Sequence, residues 1–173
     1  TQRRNIWVDR EDCRQDADRK FKRSRVGKRC ALRGGYVIEA ERGDVDVHVE
    51  VTKVYANVVP QTRGGDPDDG VKAKGVIHWV DQSNAVEAEI RSYDRLFAVS
   101  DPSSAEDFDQ VINQNSLTTS TAFLEASLAY AVPEARYQFE REGYFIADRY
   151  DHSSEQPVFN KVIGLRDTWV TND

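Results

Sequence analysis

Methionine is absent from all 173 residues, position 1 included. The chain is therefore expected to begin inside a longer protein. Cysteine occurs only at Cys13 and Cys30. That spacing fits no metal-binding pattern, and two cysteines are too few for a disulfide framework, so a reducing cytosol is the expected compartment. No apolar run approaches the roughly 18 residues that a membrane-crossing helix needs, and Thr1-Gln2-Arg3-Arg4 lacks the apolar stretch of a secretory leader. No membrane partner is expected. Histidine is limited to His48, His78 and His152. They lie far apart, with no acidic or cysteine neighbour at ligand spacing. Each has a plain reading: a wet strand face, a satisfied strand residue and a polar loop. Gly-x-Ser-x-Gly, a phosphate loop and Gly-x-Gly-x-x-Gly are all missing. No catalytic residue and no metal site is expected, and the chain reads as a binding module. A hydrophobic fraction of 39% and a mean hydropathy of -0.69 describe a polar globular protein of one large domain or two small ones.

Charge is present and segregated. Residues 1–33 hold 12 Lys+Arg against 5 Asp+Glu, and residues 34–173 hold 12 against 25. The stretch Arg19 to Arg33 carries eight basic residues and no acidic one. An acidic protein with one basic strip can hold a polyanion there and repel it elsewhere, so RNA or DNA contact is the first hypothesis. On charge alone, a solvated helix end accounts for the strip equally well.

The dominant sequence period is two. Val45, Val47, Val49 and Val51 alternate with polar residues and predict a strand with one wet face. Gly75 to Val80 predicts a second, more buried strand, and Val86, Ala88 and Ile90 a third. Tyr137 to Ile146 predicts two short aromatic strands around Arg141-Glu142-Gly143, a hairpin signal, and Pro157 to Ile163 another strand. Gly34-Gly35, residues 64–70 and Asp101-Pro102-Ser103 supply turns. Helices are predicted over Glu11–Phe21, with Asp9 as N-cap, and over Ser103–Asn113, with Ser103 and Glu106 as a capping box; a short turn is predicted after Ser127. Many short strands with few helices point to an all-β barrel or sandwich.

Two places carry candidate binding chemistry. In Lys20-Phe21-Lys22-Arg23 an aromatic ring lies within the basic strip. Cations neutralise phosphates, and a ring can stack on an unpaired base. The alternative is that Phe21 is core and the cations are solvated. In Gln138-Phe139-Glu140-Arg141, a side-chain amide and a guanidinium fork are separated by three positions. On a regular strand they would point to opposite faces, so they could converge only where the hairpin bends. An exposed hairpin tip is the alternative.

Several long segments bear a closer likeness. Lys74-Gly75-Val76-Ile77-His78-Trp79-Val80, Ile90 to Phe97, Gln138-Phe139-Glu140-Arg141-Glu142-Gly143-Tyr144-Phe145, Pro157-Val158-Phe159-Asn160 and Gly164 to Trp169 resemble the C-terminal region of bacterial glutaminyl-tRNA synthetases. Ile6 to Arg10 and Lys22-Arg23 match in the same order, so the likeness runs from about residue 6 to Trp169. It implies an all-β fold of two β-barrels, one nested in the sequence of the other. Residues 25–98 would form the distal anticodon-binding barrel, similar in fold to a ribosomal protein that binds 5S RNA. Residues 1–24 and 99–173 would form most of the proximal one, whose first strands precede Thr1 in the family.

The same likeness implies a partner and a division of labour. The partner would be the anticodon loop of glutamine tRNA, with its three bases unstacked into separate pockets. Gln138 and Arg141 match the residues that recognise the central uridine. Lys22 and Arg23, beside Lys20 and Phe21, match the pair that holds backbone and the third base. Arg33 matches one of two arginines near the first base, and the other falls on Ala31. The family's ATP- and Mg-dependent catalytic domain has no counterpart in these residues. A cytoplasmic, monomeric glutamine–tRNA ligase is thus the expected parent, with this chain inactive alone and holding no cofactor. The alternatives are a related glutamyl-tRNA synthetase, a stand-alone β-barrel RNA-binding protein, and an interaction barrel that has lost RNA binding.

Overall fold

A computed structural model describes residues 5–13, 27–46, 51–65 and 67–165. Backbone contacts divide the chain into two compact units, Thr1–Ser83 and Asn84–Asp173. Both are built from strands and short 3-10 turns, so the all-β class is observed. Their sheets are open among the described residues.

The first unit contains β1 (Ile6–Trp7), β2 (Arg29–Leu32), β3 (Val37–Val45), β4 (Val51–Val58), β5 (Val76–Ile77) and β6 (Val80–Asp81). Four strands form a sheet in the order β4-β3-β2-β5, and β1 pairs with β6. Cys30, Leu32, Ile38 and Ile77 are its buried core, with Ile6, Val8 and Trp79 packed against them. Cys30 is thus a small core hydrophobe. Thr62 is buried with its hydroxyl doubly used: it accepts from the Val37 N–H at 2.9 Å and donates to the Val59 carbonyl at 2.7 Å. Those bonds pin the turn after β4 onto the start of β3.

The second unit is a five-stranded sheet in the order β8-β7-β11-β10-β9. Its strands are β7 (Val86–Tyr93), β8 (Leu117–Leu124), β9 (Arg136–Phe139), β10 (Gly143–Ala147) and β11 (Val158–Ile163). Alternation aims Ala88, Ile90, Phe145, Ala147 and Phe159 at one buried cluster. Phe159 is fully buried. Its ring meets Tyr137 at 5.8 Å, Phe139 at 5.4 Å and His152 at 5.1 Å, all edge to face.

Several expectations are corrected by pairing. The alternating valines at 45–51 do not form one strand: Val45 ends β3, Val51 begins β4, and the two pair across an antiparallel ladder, so the chain reverses between them. Residues 47–50, with His48, lie outside the described set. The segment 75–80 is split into β5 and β6, which pair with different partners, β2 and β1. Val76 is half-exposed because it shares the outward face with Ala31, its register partner on β2, whereas Ile77 beside Leu32 is buried. The expected helix at Glu11 is a single 3-10 turn, Arg10–Asp12, followed by extended backbone at Cys13, and the Asp9 side chain makes no cap bond. Residues 14–21 are outside the described set. Over 103–113 two 3-10 turns replace one helix. The carboxylates of Asp101 and Asp107 accept the Ser103 and Asp109 N–H groups, local bonds that compete with helical ones. The Ala98 N–H also donates to the Val111 carbonyl, drawing that end into a β-bridge. β2 and β8 carry no clear alternation and were not predicted. β7 belongs with β8 and β11, and the break between the two compact units falls after Ser83.

His152 lies in no polar loop but in the core, 8% exposed. Its Nδ1 lies 3.1 Å from both the Val158 N–H and the Val158 carbonyl, and its Nε2 lies 3.0 Å from the Ala131 carbonyl, so both ring nitrogens are engaged with backbone. On the other side of the sheet, Arg91 donates to Glu89 at 2.6 Å and to Asp151 at 2.7 Å. Asp148 accepts from the Asp151 N–H, the Asn160 amide and the Tyr150 N–H, and these bonds hold its carboxyl down at about 2. The cluster ties the 148–157 loop to β7 and β11.

A depressed carboxyl stabilises the fold above its ordinary value of 3.8 and loses that contribution as pH falls through its folded value. Denaturant stability is therefore expected to drop between pH 4 and pH 2. Asp148→Asn should flatten that drop and lower stability at pH 7 by up to about 2 kcal/mol, discounting for partial solvation. A pH series of urea melts on the two proteins checks it; parallel acid curves would remove Asp148 as the cause.

Candidate nucleic-acid interface

The β9–β10 hairpin is built from an aromatic inner face and a polar outer one. Tyr137 opposes Phe145 in the antiparallel register and Gln138 opposes Tyr144. Directly opposed side chains share a face. Tyr137 and Phe145 turn to the core, where the Phe139 ring stacks on Phe145 at 4.3 Å. Gln138 and Tyr144 are consequently on the other face, both exposed. The turn is closed by the Glu142 N–H donating to the Phe139 carbonyl at 3.0 Å.

Arg141 is the third residue of that turn and has φ +74°. Glycine is the usual occupant of such a position, and a side chain there costs on the order of 1 kcal/mol. Two residues on, Gly143 at φ +146° has no alternative: a Cβ would collide with the Ile163 carbonyl oxygen at the end of β11. The left-handed step at Arg141 takes it out of strand alternation. Gln138 stays on the strand while Arg141 occupies the bend, so the opposite-face objection from spacing does not apply to them.

In the first unit, Arg33 follows β2 in the turn to β3. Gly34 has φ +65°, and the Gly35 N–H donates to the Leu32 carbonyl at 2.8 Å. The Arg33 backbone is held at both ends: its N–H donates to the Ile77 carbonyl at 3.0 Å, and its carbonyl accepts from Trp79 Nε1 at 2.9 Å. The side chain is exposed. Cys30 and Leu32 face the core, so Ala31, two positions before Arg33, lies on the outward side of β2.

Not all of the basic strip is available to a polyanion. Arg29 is largely covered and engaged with acidic groups of its own chain. Its Nε donates to Glu39 at 3.0 Å, while Nη1 and Nη2 meet the two Asp69 oxygens at 2.8 and 2.7 Å. The forked contact with Asp69, then the one with Glu39, raises the Arg29 guanidinium above its usual value and lowers Asp69. Arg29 clips the 64–70 loop to β3. Lys20, Phe21, Lys22 and Arg23 lie outside the described residues. Of the seven candidates, the structure brings Gln138 and Arg141 onto one hairpin and sets Arg33 on a hairpin of the other unit.

The units differ in charge. Residues 1–83 hold 17 Lys+Arg against 14 Asp+Glu, and residues 84–173 hold 7 against 16. Arg141 is itself flanked by Glu140 and Glu142. A guanidinium in acidic surroundings is poorly placed to attract phosphate from a distance but well suited to directional bonds with a neutral base edge. Two outward residues of the same face were not singled out from the sequence: Tyr144, and Arg136, which opposes Ile146. The alternation of Arg136 and Gln138 with Tyr137 and Phe139 was the signal that could have found them.

Residues 76–148 match the family model for the anticodon-binding domain of class I tRNA synthetases, E and Q. Over 167 residues, 96% of this chain, the sequence is 51% identical to a glutamine–tRNA ligase of Vibrio parahaemolyticus and 52% identical to that of Serratia proteamaculans; for the Photobacterium profundum ligase the figure is 50%. In each case the chain spans 30% of the relative's length.

Gly143→Ala tests whether the close approach to Ile163 sets this hairpin. The collision involves backbone on both sides, so it cannot be relieved by a rotamer change, and a loss of about 1–3 kcal/mol is expected. Urea denaturation reads it; an unchanged midpoint would show that the end of β11 yields freely.

Proposed function

We infer that this chain, which through residues 76–148 belongs to the anticodon-binding domain family of the class I tRNA synthetases for glutamate and glutamine, is the anticodon-binding region of a glutamine–tRNA ligase. Its partner on this reading is the anticodon loop of glutamine tRNA, and the parent enzyme joins glutamine to that tRNA with ATP, in a domain these residues do not supply. Gln138 and Arg141 read the central anticodon base. Lys22 and Arg23, beside Lys20 and Phe21, hold backbone and the third base, and Arg33 serves the first.

One observation supports the base-reading role above the others: a non-glycine residue, Arg141, takes a left-handed conformation in a turn next to the strand that presents Gln138. Backbone strain held by a non-glycine residue in a surface turn is a reason to look for function there. The chemistry agrees. Duplex RNA hides its base edges in a deep, narrow groove, so sequence is read from unpaired loops, where an amide and a guanidinium can bond Watson–Crick edges. Ala31 on the outward side of β2 leaves one cation fewer beside Arg33 for the first base. The glutamate enzyme is the second reading, since the family model covers both; the 50–52% identity to three glutamine–tRNA ligases favours glutamine. Among the described residues no helix is long and apolar enough to cross a membrane, and a cytosolic place of work belongs to the same reading.

Gln138→Ala and Arg141→Ala should each weaken binding to a glutamine anticodon stem-loop by roughly 10- to 100-fold, the equivalent of about 1–3 kcal/mol. The loss should be largest for the natural central base and small for loops already changed there. Lys22→Ala should weaken all loops alike and reduce the salt dependence. Affinities across loops varied at the central position decide it: equal losses on every variant for Arg141→Ala would refute its reading role.

A further inference from the structure

We propose that Tyr144 is a stacking platform for the base read by Gln138, an inference that rests on the reading above and deepens it. Tyr144 directly opposes Gln138 across the β9–β10 ladder, so their Cβ atoms are neighbours on one face, about 5 Å apart. The ring is 47% exposed. Its strand neighbours Gly143 and Phe145 are both buried, which pins the backbone beneath it. The Gly143 backbone packs so closely on Ile163 that a Cβ would not fit, and Phe145 is stacked on Phe139. On the far side Tyr144 pairs with Ile163, itself 61% exposed. The outward row thus runs amide, aromatic ring, aliphatic side chain, with the Arg141 turn at its end.

An unpaired base offers two kinds of surface: a hydrogen-bonding edge and a flat face. Gln138 and Arg141 supply partners for the edge alone. A splayed base bonded only at its edge would keep both faces in water, having given up its neighbours in the stack. An exposed ring on a rigid strand, beside the amide that reads the edge, supplies the missing face contact. Among the described residues the core of this sheet is formed by the opposite face, which leaves the half-exposed ring of Tyr144 on the solvent side. Tyr144 contributes affinity for whichever base is unstacked there, and Gln138 contributes the choice among bases.

The test is a set of three variants, Tyr144→Phe, Tyr144→Leu and Tyr144→Ala, in the complete protein. Each is titrated with a glutamine anticodon stem-loop and with the same loop carrying an abasic ribose at the central position. Removal of the ring should weaken binding of the intact loop about 10-fold for Leu and Ala. The phenylalanine variant, which keeps the ring, should bind within about 2-fold of the parent. On the abasic loop all four proteins should bind alike. Unchanged binding by Tyr144→Ala, or equal losses on both loops, would overturn the proposal. Gln138→Ala measured alongside separates two failures. If it discriminates the central base while Tyr144→Ala does nothing, stacking falls and base reading stands. If it too loses equally on all loops, the reading and the stacking fall together.

Discussion

The seating of Phe139 against Phe145 and Phe159 governs the geometry of the candidate interface. It fixes which side of β9 faces the core, and strand alternation then leaves Gln138 no choice of side. A one-residue slip would bury the amide and expose the rings, a change that costs several apolar burials of about 1.5–3 kcal/mol each. Gly143 protects the same register from the other edge, because only a residue without Cβ tolerates the Ile163 carbonyl at that point. Between these two constraints lies the tight turn, and the left-handed Arg141 is where it bends.

Electrostatics separates into two roles. Ion pairs such as Arg29 with Glu39 and Asp69, or Arg91 with Glu89 and Asp151, are structural: each draws a loop onto a sheet. They withdraw cations from a count that would otherwise overstate the basic surface. The second unit is strongly acidic and still carries the hairpin with the base-reading candidates. An arginine between two glutamates there favours short-range, directional recognition over attraction of any polyanion, which suits selection of one loop among many of equal charge.

The site was legible to the extent that its residues are adjacent in sequence. Gln138 and Arg141 share a hairpin whose turn signal and alternating aromatics are local, so both the hairpin and the candidates could be found without coordinates. Tyr144 escaped notice because its significance lies in the residue opposite it. Arg29 looked like part of a polyanion contact because its neighbours in sequence are basic, whereas its partner Asp69 is 40 residues away. His152 likewise read as loop because its surroundings in sequence are polar, while its two partners are backbone groups at Ala131 and Val158.

Sequence alone determined the all-β class, the β9–β10 hairpin and the inward side of Val86, Ala88 and Ile90 on β7, since these depend on period two and on turn residues a few positions apart. It also carried the likeness to an anticodon-binding region, through long runs of matching residues. Tertiary structure alone decided which strands pair, where one unit ends and the next begins, which cations are already engaged, and that 45–51 is a reversal and 103–113 two turns. The reason is the same in each case. Side-chain alternation records that a face must be buried, but the identity of what buries it, or of what neutralises a charge, is a contact between residues far apart in the chain.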